Sequence, residues 1–503
     1  MKNRIVVSIG IITLMILSGC EDYLDVKPKT FFSSETFYTK PEHAQQAVSA
    51  CYALLRNPYR LVATYGESPF FMLEFATGMC LTSIGQASYN AEFRETNASS
   101  NNLYAQDWWQ SYYQGIENCN IALSKLPGIP DVSSDTQSHY MGEVYFLRAW
   151  YYFMLVQMYG DIPLRTEPTE SAETVNVPRD PAAAVYDQIV SDLLEAEKTA
   201  LPNTSTSGKV TKGAVKSLLA KVYLTMAGYP LQKKEMYARA AEKAAEVINS
   251  NWYSLFPSID DLRDRKKGNQ TEHIFQTQFA VGIAEHQIHA WLLPRYSRIS
   301  GYSNEYGCFY PDSSFIRTFD PQDLRIQEKG FFFTNYPNWE DPDVTVYFPA
   351  HVYKFFDDDA MIDLKGAQNY PNLRYADMLL LYAEAQNEAD GSPNALALDC
   401  YNRVRARAGL KVSASADFAS QNDFREAVWK ERYWELCFEN QTWFDMVRTR
   451  KVFDLKTKRF TDFTGYTFPY GDGAFRLTEK QLLFPIPLRE MQTNPQLIQN
   501  SGY

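Results

Sequence analysis

Seven cysteines in 503 residues, with no C-x-x-C pair among them, are too scattered for a disulfide framework or a zinc site. Fixed catalytic fingerprints are missing too. The chain holds no G-x-S-x-G, no H-E-x-x-H, no phosphate-cradling glycine loop and no dinucleotide-binding glycine pattern. No catalytic residue, cofactor or resident metal is therefore assigned. Basic residues are outnumbered, 49 Lys and Arg against 60 Asp and Glu, for a formal net charge of −11. Loss of Lys2 and Arg4 with an N-terminal leader would remove two positive charges and take this to −13. Nucleic-acid binding needs a basic face, so that partner class is excluded. Nor is there a membrane-spanning run at the N-terminus, because the apolar stretch from Ile5 to Ile16 is too short to cross a bilayer.

That stretch has another use. Lys2 and Arg4 precede it, and Leu17-Ser18-Gly19-Cys20 follows it as a lipobox, the layout of a lipoprotein leader. Cleavage before Cys20 would expose a thiol for acylation and leave a body anchored to a membrane through lipid. The alternative is an ordinary cleaved leader with an incidental cysteine. The expected division is a leader over residues 1–19, lipidated Cys20 with a flexible tether over 20–39, and one domain over 40–503. Cys51, Cys119, Cys400 and Cys437 fall within helical apolar periods and read, with Cys80 and Cys308, as buried free thiols.

Apolar residues at three- and four-residue steps predict helices from Lys40 to Arg56, Gln106 to Lys125, Ser138 to Tyr159, Pro181 to Thr199, Lys212 to Ala227, Lys234 to Asn249, Leu373 to Ala389, Asn394 to Ala408 and Asp423 to Arg450. Leu147-Arg148-Ala149, Leu218-Leu219-Ala220 and Leu381-Tyr382-Ala383 hold similar places in the first helix of a pair. A break containing Gly160, Gly228 or Gly391 follows each. Paired helices of this kind bury their faces by stacking, which predicts a mostly α fold of tetratricopeptide-like hairpins arranged as a solenoid. Two long irregular segments, about 59–103 and 251–371, interrupt them and are expected to form a loop-rich binding side. Short strands are predicted at Phe331-Phe332-Phe333 and Val344 to Phe348.

Aromatic residues make up 15% of the chain, and the irregular segments are rich in them. Rigid rings with polar handles suit the apolar C–H face and hydroxyl rim of a sugar. The ligand-contact candidates are Phe71, Tyr89, Asn90 and Arg94 in the first segment, and Trp291, Arg295, Tyr296, Tyr302, Tyr306 and Trp339 in the second. Phe70, Phe93, Asn304, Phe309 and Tyr310 belong to the same ring-rich stretches. The competing reading for each is packing of the loops onto the helices. His286 and His289 have metal-compatible spacing without an evident third ligand, and Asp357-Asp358-Asp359 reads better as a solvated charge run than as half a calcium loop. A glycosidase needs only two carboxylates at the right separation, so that reading stays open.

Several stretches resemble the SusD/RagB family of lipidated nutrient-binding proteins from Bacteroidetes outer membranes. They are Tyr145 to Phe153 continuing through Tyr159-Gly160-Asp161-Ile162-Pro163-Leu164, Leu373 to Ala385, Tyr401 to Leu410, and Glu431-Arg432 through Trp443 to Arg448. Leu483-Phe484-Pro485-Ile486-Pro487 and Gln499 to Tyr503 continue the match to the end. The resemblance implies a SusD-like helical fold without catalysis. It implies a cell-surface location, an oligosaccharide ligand, and a SusC-like TonB-dependent transporter as partner. A peptide-binding RagB-like member and a protein-binding helical scaffold are the alternatives. Glu21 and Asp22 resemble the family's acidic export signal. Arg374, Asp377, Glu431, Arg432, Trp443 and Asp445 resemble its helix-packing and ion-pair positions.

Overall fold

A computed structural model describes residues 37–60, 68–83, 88–171, 175–302, 305–363, 365–470 and 474–503. Cys20, the tether as far as residue 36, and Asn304 lie outside the described residues. Ten helices of eight residues or more stand among those described: α1 (Pro41–Ala53), α2 (Leu103–Lys125), α3 (Ser134–Tyr159), α4 (Ala182–Lys198), α5 (Lys212–Ala227), α6 (Met236–Asn249), α7 (Tyr375–Asp390), α8 (Ala395–Arg407), α9 (Gln421–Glu435) and α10 (Thr442–Thr449). Five of their starts are capped by side chains that accept orphan backbone N–H groups. Asn102 caps α2, Ser133 caps α3, Thr211 caps α5, Asn394 caps α8 and Ser420 caps α9, each worth about 1 kcal/mol. Gly160 (φ 73°) and Gly391 (φ 80°) end α3 and α7 in backbone conformations that disfavour any side chain.

Three pairs form as the repeat predicts, α3 on α4, α5 on α6 and α7 on α8, and α1 packs on α2 as a fourth. Further contacts of α2 with α3, α4 with α5 and α6 with α7 stack the pairs into a solenoid. Ala149, Ala220 and Ala383 are fully buried, as expected of small residues that let a neighbouring helix approach. The predicted helix from Asp423 to Arg450 divides into α9 and α10, because Phe438 (φ 65°) and Asn440 (φ 56°) turn the chain through left-handed conformations. That turn sets Glu439 beside Arg374, whose guanidinium donates to it at 2.7 and 2.8 Å.

Arg374 lies in a buried charge network. It also pairs with Glu272 at 2.9 Å and Glu435 at 2.7 Å, while Arg325 pairs with Asp323 and Glu431, each at 2.7 Å. Asp377 pairs with Lys221 and Arg432, and Arg432 also reaches Asp445. The residues expected at ion-pair positions hold them, but Arg374 and Glu431 take partners other than Asp377 and Arg432. Isolated buried ions are costly, so every guanidinium here is multiply matched.

Strands are short: β1 (Cys80–Leu81), β2 (His273–Thr277), β3 (Tyr310–Pro311), β4 (Phe332–Pro337), β5 (Thr345–Val352), β6 (Tyr370–Arg374), β7 (Lys451–Asp454) and β8 (Arg459–Asp462). They form four antiparallel pairs, β1 with β3, β2 with β6, β4 with β5 and β7 with β8. The β4/β5 hairpin stands where the ring-rich sequence predicts one. The C-terminal residues close over the early helices. Asn500 Nδ2 donates to the Tyr159 carbonyl at 3.0 Å, and Arg179 donates to the Ile498 carbonyl and to Asn500 Oδ1, both at 2.6 Å. Glu74 accepts from the Asn440 N–H, and the Tyr470 hydroxyl donates to the Arg94 carbonyl. Cys51, Cys80, Cys119, Cys308, Cys400 and Cys437 are buried free thiols. No helix among the described residues is long and apolar enough to cross a membrane.

Candidate functional site

Between α6 and α7 the ring-rich chain folds into a platform organised by one carboxylate. Glu305 is buried, and its side chain gathers the turn of residues 296–300. Its Oε1 accepts from the Ile299 N–H at 2.7 Å, the Ser300 N–H at 2.9 Å and the Ser300 hydroxyl at 3.0 Å. Its Oε2 accepts from the Arg298 N–H at 2.6 Å and the Ser297 hydroxyl at 2.7 Å. Tyr296 (φ 55°) and Arg298 (φ 60°) adopt left-handed backbone. That conformation costs about 1 kcal/mol or more per residue, so the bonds to Glu305 hold a shape the local sequence does not favour.

The turn carries the tip of the β4/β5 hairpin. The Trp339 N–H donates to the Arg298 carbonyl at 2.8 Å, and Asn338 Oδ1 accepts from the N–H groups of Glu340 and Asp341 at 2.9 and 3.1 Å. The Trp339 indole lies against Gly301 so closely that a Cβ there would sit 3.0 Å from two of its ring atoms. A small apolar cluster that includes Leu293, Ile299, Phe333, Phe356 and Met361 packs within this same part of the chain. Two rings are left in solvent, Tyr296 at 62% exposure and Trp339 at 44%. Arg295 and Arg298 are exposed with them, and the Arg295 guanidinium stands 4.9 Å from the Tyr296 ring centre. Arg295 also donates to the Ser83 carbonyl at 2.9 Å, which joins the two ring-rich segments. Rigid rings beside guanidinium donors can stack on a sugar face and bond its hydroxyls.

The structure separates the predicted contact residues. Arg295, Tyr296 and Trp339 come together on the platform, and Tyr302 lies half-buried at its margin, edge-on to His289 at 6.0 Å. Trp291 is 0% exposed, and Phe71 packs edge-on to it at 5.8 Å and stacks on Phe309 at 4.7 Å. Those two rings offer a ligand no face, and Asn90 is buried as well, so for these three packing replaces the expected contact. Tyr89 is half-buried against Tyr104, Arg94 stands 4.4 Å over the Tyr470 ring, and Tyr306 packs against the main core. Composition did not reveal Glu305, Gly301 or Arg298. The available signal was the cluster of Ser297, Ser300 and Glu305, polar groups amid rings.

Other chemistry is occupied. His286 Nε2 lies 2.9 Å from the Gln368 carbonyl and His289 Nε2 lies 3.2 Å from that of Asp363. Burial lowers both imidazoles, to about 3 for His286. Asp357, Asp358 and Asp359 are ion-paired with Arg263 and Arg265.

Residues 282–503 match a sequence profile described as the SusD family, and residues 22–224 match one described as starch-binding associating with outer membrane. A crystal structure of a SusD superfamily protein from Parabacteroides distasonis is 39% identical, covers 94% of this chain and 100% of its own, and superposes with a TM-score of 0.87. A laminarin-binding SusD-like protein is 25% identical over 93% of this chain and 100% of its own, with a TM-score of 0.73. SusD-like protein P38 of Formosa agariphila is 26% identical across 100% of this chain and 99% of that protein.

Proposed function

This chain belongs to the SusD superfamily, and from that premise we propose that it captures an oligosaccharide at the cell surface and passes it to a SusC-like TonB-dependent transporter. The observation that carries the reading is the platform: two exposed rings, Tyr296 and Trp339, flanked by Arg295 and Arg298 and fixed by the buried Glu305 carboxylate. A binding surface whose backbone is held before the ligand arrives loses less freedom on binding. The platform gathers rings and hydrogen-bond donors, which suits binding without turnover. Lipid on Cys20 would hold the protein to the outer membrane while the tether lets it move over its partner.

Laminarin is the first ligand to test, since a relative of this fold is named for binding it. Calorimetry with laminarin and a panel of other glycans should give saturable binding that Trp339→Ala weakens. Binding to peptides with none to saccharides would overturn the glycan reading in favour of peptide capture. Release of reducing ends from a bound glycan would make the protein an enzyme. Purification of the anchored protein from its native membrane should bring a barrel transporter with it, and repeated failure to do so would overturn the delivery step and favour a scaffold for other proteins.

A further inference from the structure

A cavity of about 520 Å³ opens among the helix ends and the C-terminal chain and shares no lining residue with the ring platform. It lies within the size range of small-molecule sites, roughly 300 to 1,000 Å³. The end of α3, the start of α4, the chain after α5, α10 and the C-terminus wall it. Phe444, Val447, Leu482 and Leu483 supply apolar surface, and Gln157, Thr225 and Ser501 supply polar groups.

Its charge balance is unlike that of the rest of the chain. Four cations line it, Arg179, Arg448, Arg450 and Lys480, against two acids, Asp161 and Glu479, in a protein of net charge −11. Arg448 is already matched, to Glu384 at 2.7 Å and Asp445 at 2.7 Å. The other three have no carboxylate within 4.0 Å among the described residues. Arg179 spends its donors on neutral oxygens, those of Asp161 O, Ile498 O and Asn500 Oδ1, each at 2.6 Å. Arg450 donates to the Val447 carbonyl at 3.0 Å and stands 5.0 Å over the Tyr229 ring, while Lys480 stands 4.3 Å over that of Tyr503. Arg450 is also held in a left-handed conformation (φ 57°) that turns it back to this wall. Burial pushes the Arg179 and Arg450 guanidinium groups down from their ordinary range, and the more distant Asp161 and Glu479 carboxylates offset that only in part. Partly buried cations gathered around an empty volume are matched when an anion enters it.

We propose that this cavity is a binding site for a small organic oxyanion, a carboxylate or sulfate carried on a body of about one or two sugar rings. Arg179, Arg450 and Lys480 receive the charge, and the wall of Phe444, Val447 and Leu483 receives the apolar part. The site is independent of the platform, so one protein would hold two ligands of different chemistry.

Calorimetry of the full chain with glucuronate, glucose 6-sulfate and neutral glucose tests the assignment. Saturable binding of a charged sugar is expected, absent for glucose, and unaffected by Trp339→Ala. The two charged probes distinguish carboxylate from sulfate. Arg450→Gln removes a charge-assisted contact and should weaken binding about tenfold or more, whereas Arg450→Lys should retain most of it. If Arg450→Gln fails to fold, Lys480→Gln on the cavity rim replaces it, with the same loss expected. No saturable binding of either charged sugar, equal binding of glucose, or full affinity in the folded glutamine variant would each overturn the proposal.

Discussion

Replacement of Glu305 by glutamine isolates the platform's organisation from its rings. The carboxylate accepts five hydrogen bonds, three from backbone N–H groups and two from serine hydroxyls. Glutamine has nearly the same shape but only one accepting oxygen. The less costly orientation keeps that oxygen toward Ile299 and Ser300 and turns its NH2 toward Arg298 and Ser297. Ser297 can rotate its hydroxyl to accept. The Arg298 N–H cannot change role, and it faces another donor. Loss of one bond to a charged acceptor is worth about 1.5 to 3 kcal/mol, and the bonds that remain become neutral and roughly half as strong. The expected cost of Glu305→Gln is therefore about 3 to 5 kcal/mol, concentrated in one loop. Two assays read it. Hydrogen exchange should show the amides of Arg298, Ile299 and Ser300 losing protection while those of α3 and α7 keep theirs. Glycan affinity should fall although no ring has been touched. A loss below about 1 kcal/mol, with protection at Arg298 to Ser300 unchanged, would refute the claim that Glu305 sets the turn.

Trp339→Ala should lower glycan affinity by about 1 to 3 kcal/mol, by analogy with ring stacking on nucleic-acid bases, with little change in stability. Trp291→Ala should do the reverse, costing about 3 to 5 kcal/mol of folding stability, as chemical denaturation would show. Cys20→Ala should shift the protein from membrane to soluble fractions on cell fractionation while calorimetry finds its ligand affinity intact. Burial pushes the Glu74 carboxyl up to about 8. A folded value raised above the unfolded one near 4.3 gives stability that is full below that value and lost as pH rises toward 8. Denaturation midpoints of wild type and Glu74→Gln should therefore diverge by about 1.4 kcal/mol per pH unit across that window, and parallel pH profiles would contradict the reading.

The helical body was legible because its signal is local. Alternating apolar steps and caps such as Ser133 and Thr211 lie within a few residues of the turns they start. The division of α9 from α10 is not legible in the sequence because left-handed Phe438 and Asn440 look like any other residues there; partners distant in the chain, Arg374 and Lys354, hold the turn between them. The site was half legible for the same reason. Trp291 and Trp339 are chemically identical, and only distant neighbours decide their roles. Phe71 and Phe309 enclose the first ring's surroundings, whereas the second rests on Gly301 at a hairpin tip. Composition marks the ring-rich segment, and long-range packing decides which of its rings reach solvent.

The closure of the last residues over the first hairpins bears on how this chain is made. Ile498 and Asn500 meet Arg179, Tyr470 meets Arg94, and Asn440 meets Glu74, ties that span more than 300 residues each. Loops that long close late and slowly, because their entropy must be lost before the contact returns anything. If the chain is threaded N-terminus first through a membrane, as the proposed lipid-anchored location would require, these contacts can form only after its final segment has followed. The same topology that ties the two ends together would then make the last segment the one that locks the fold.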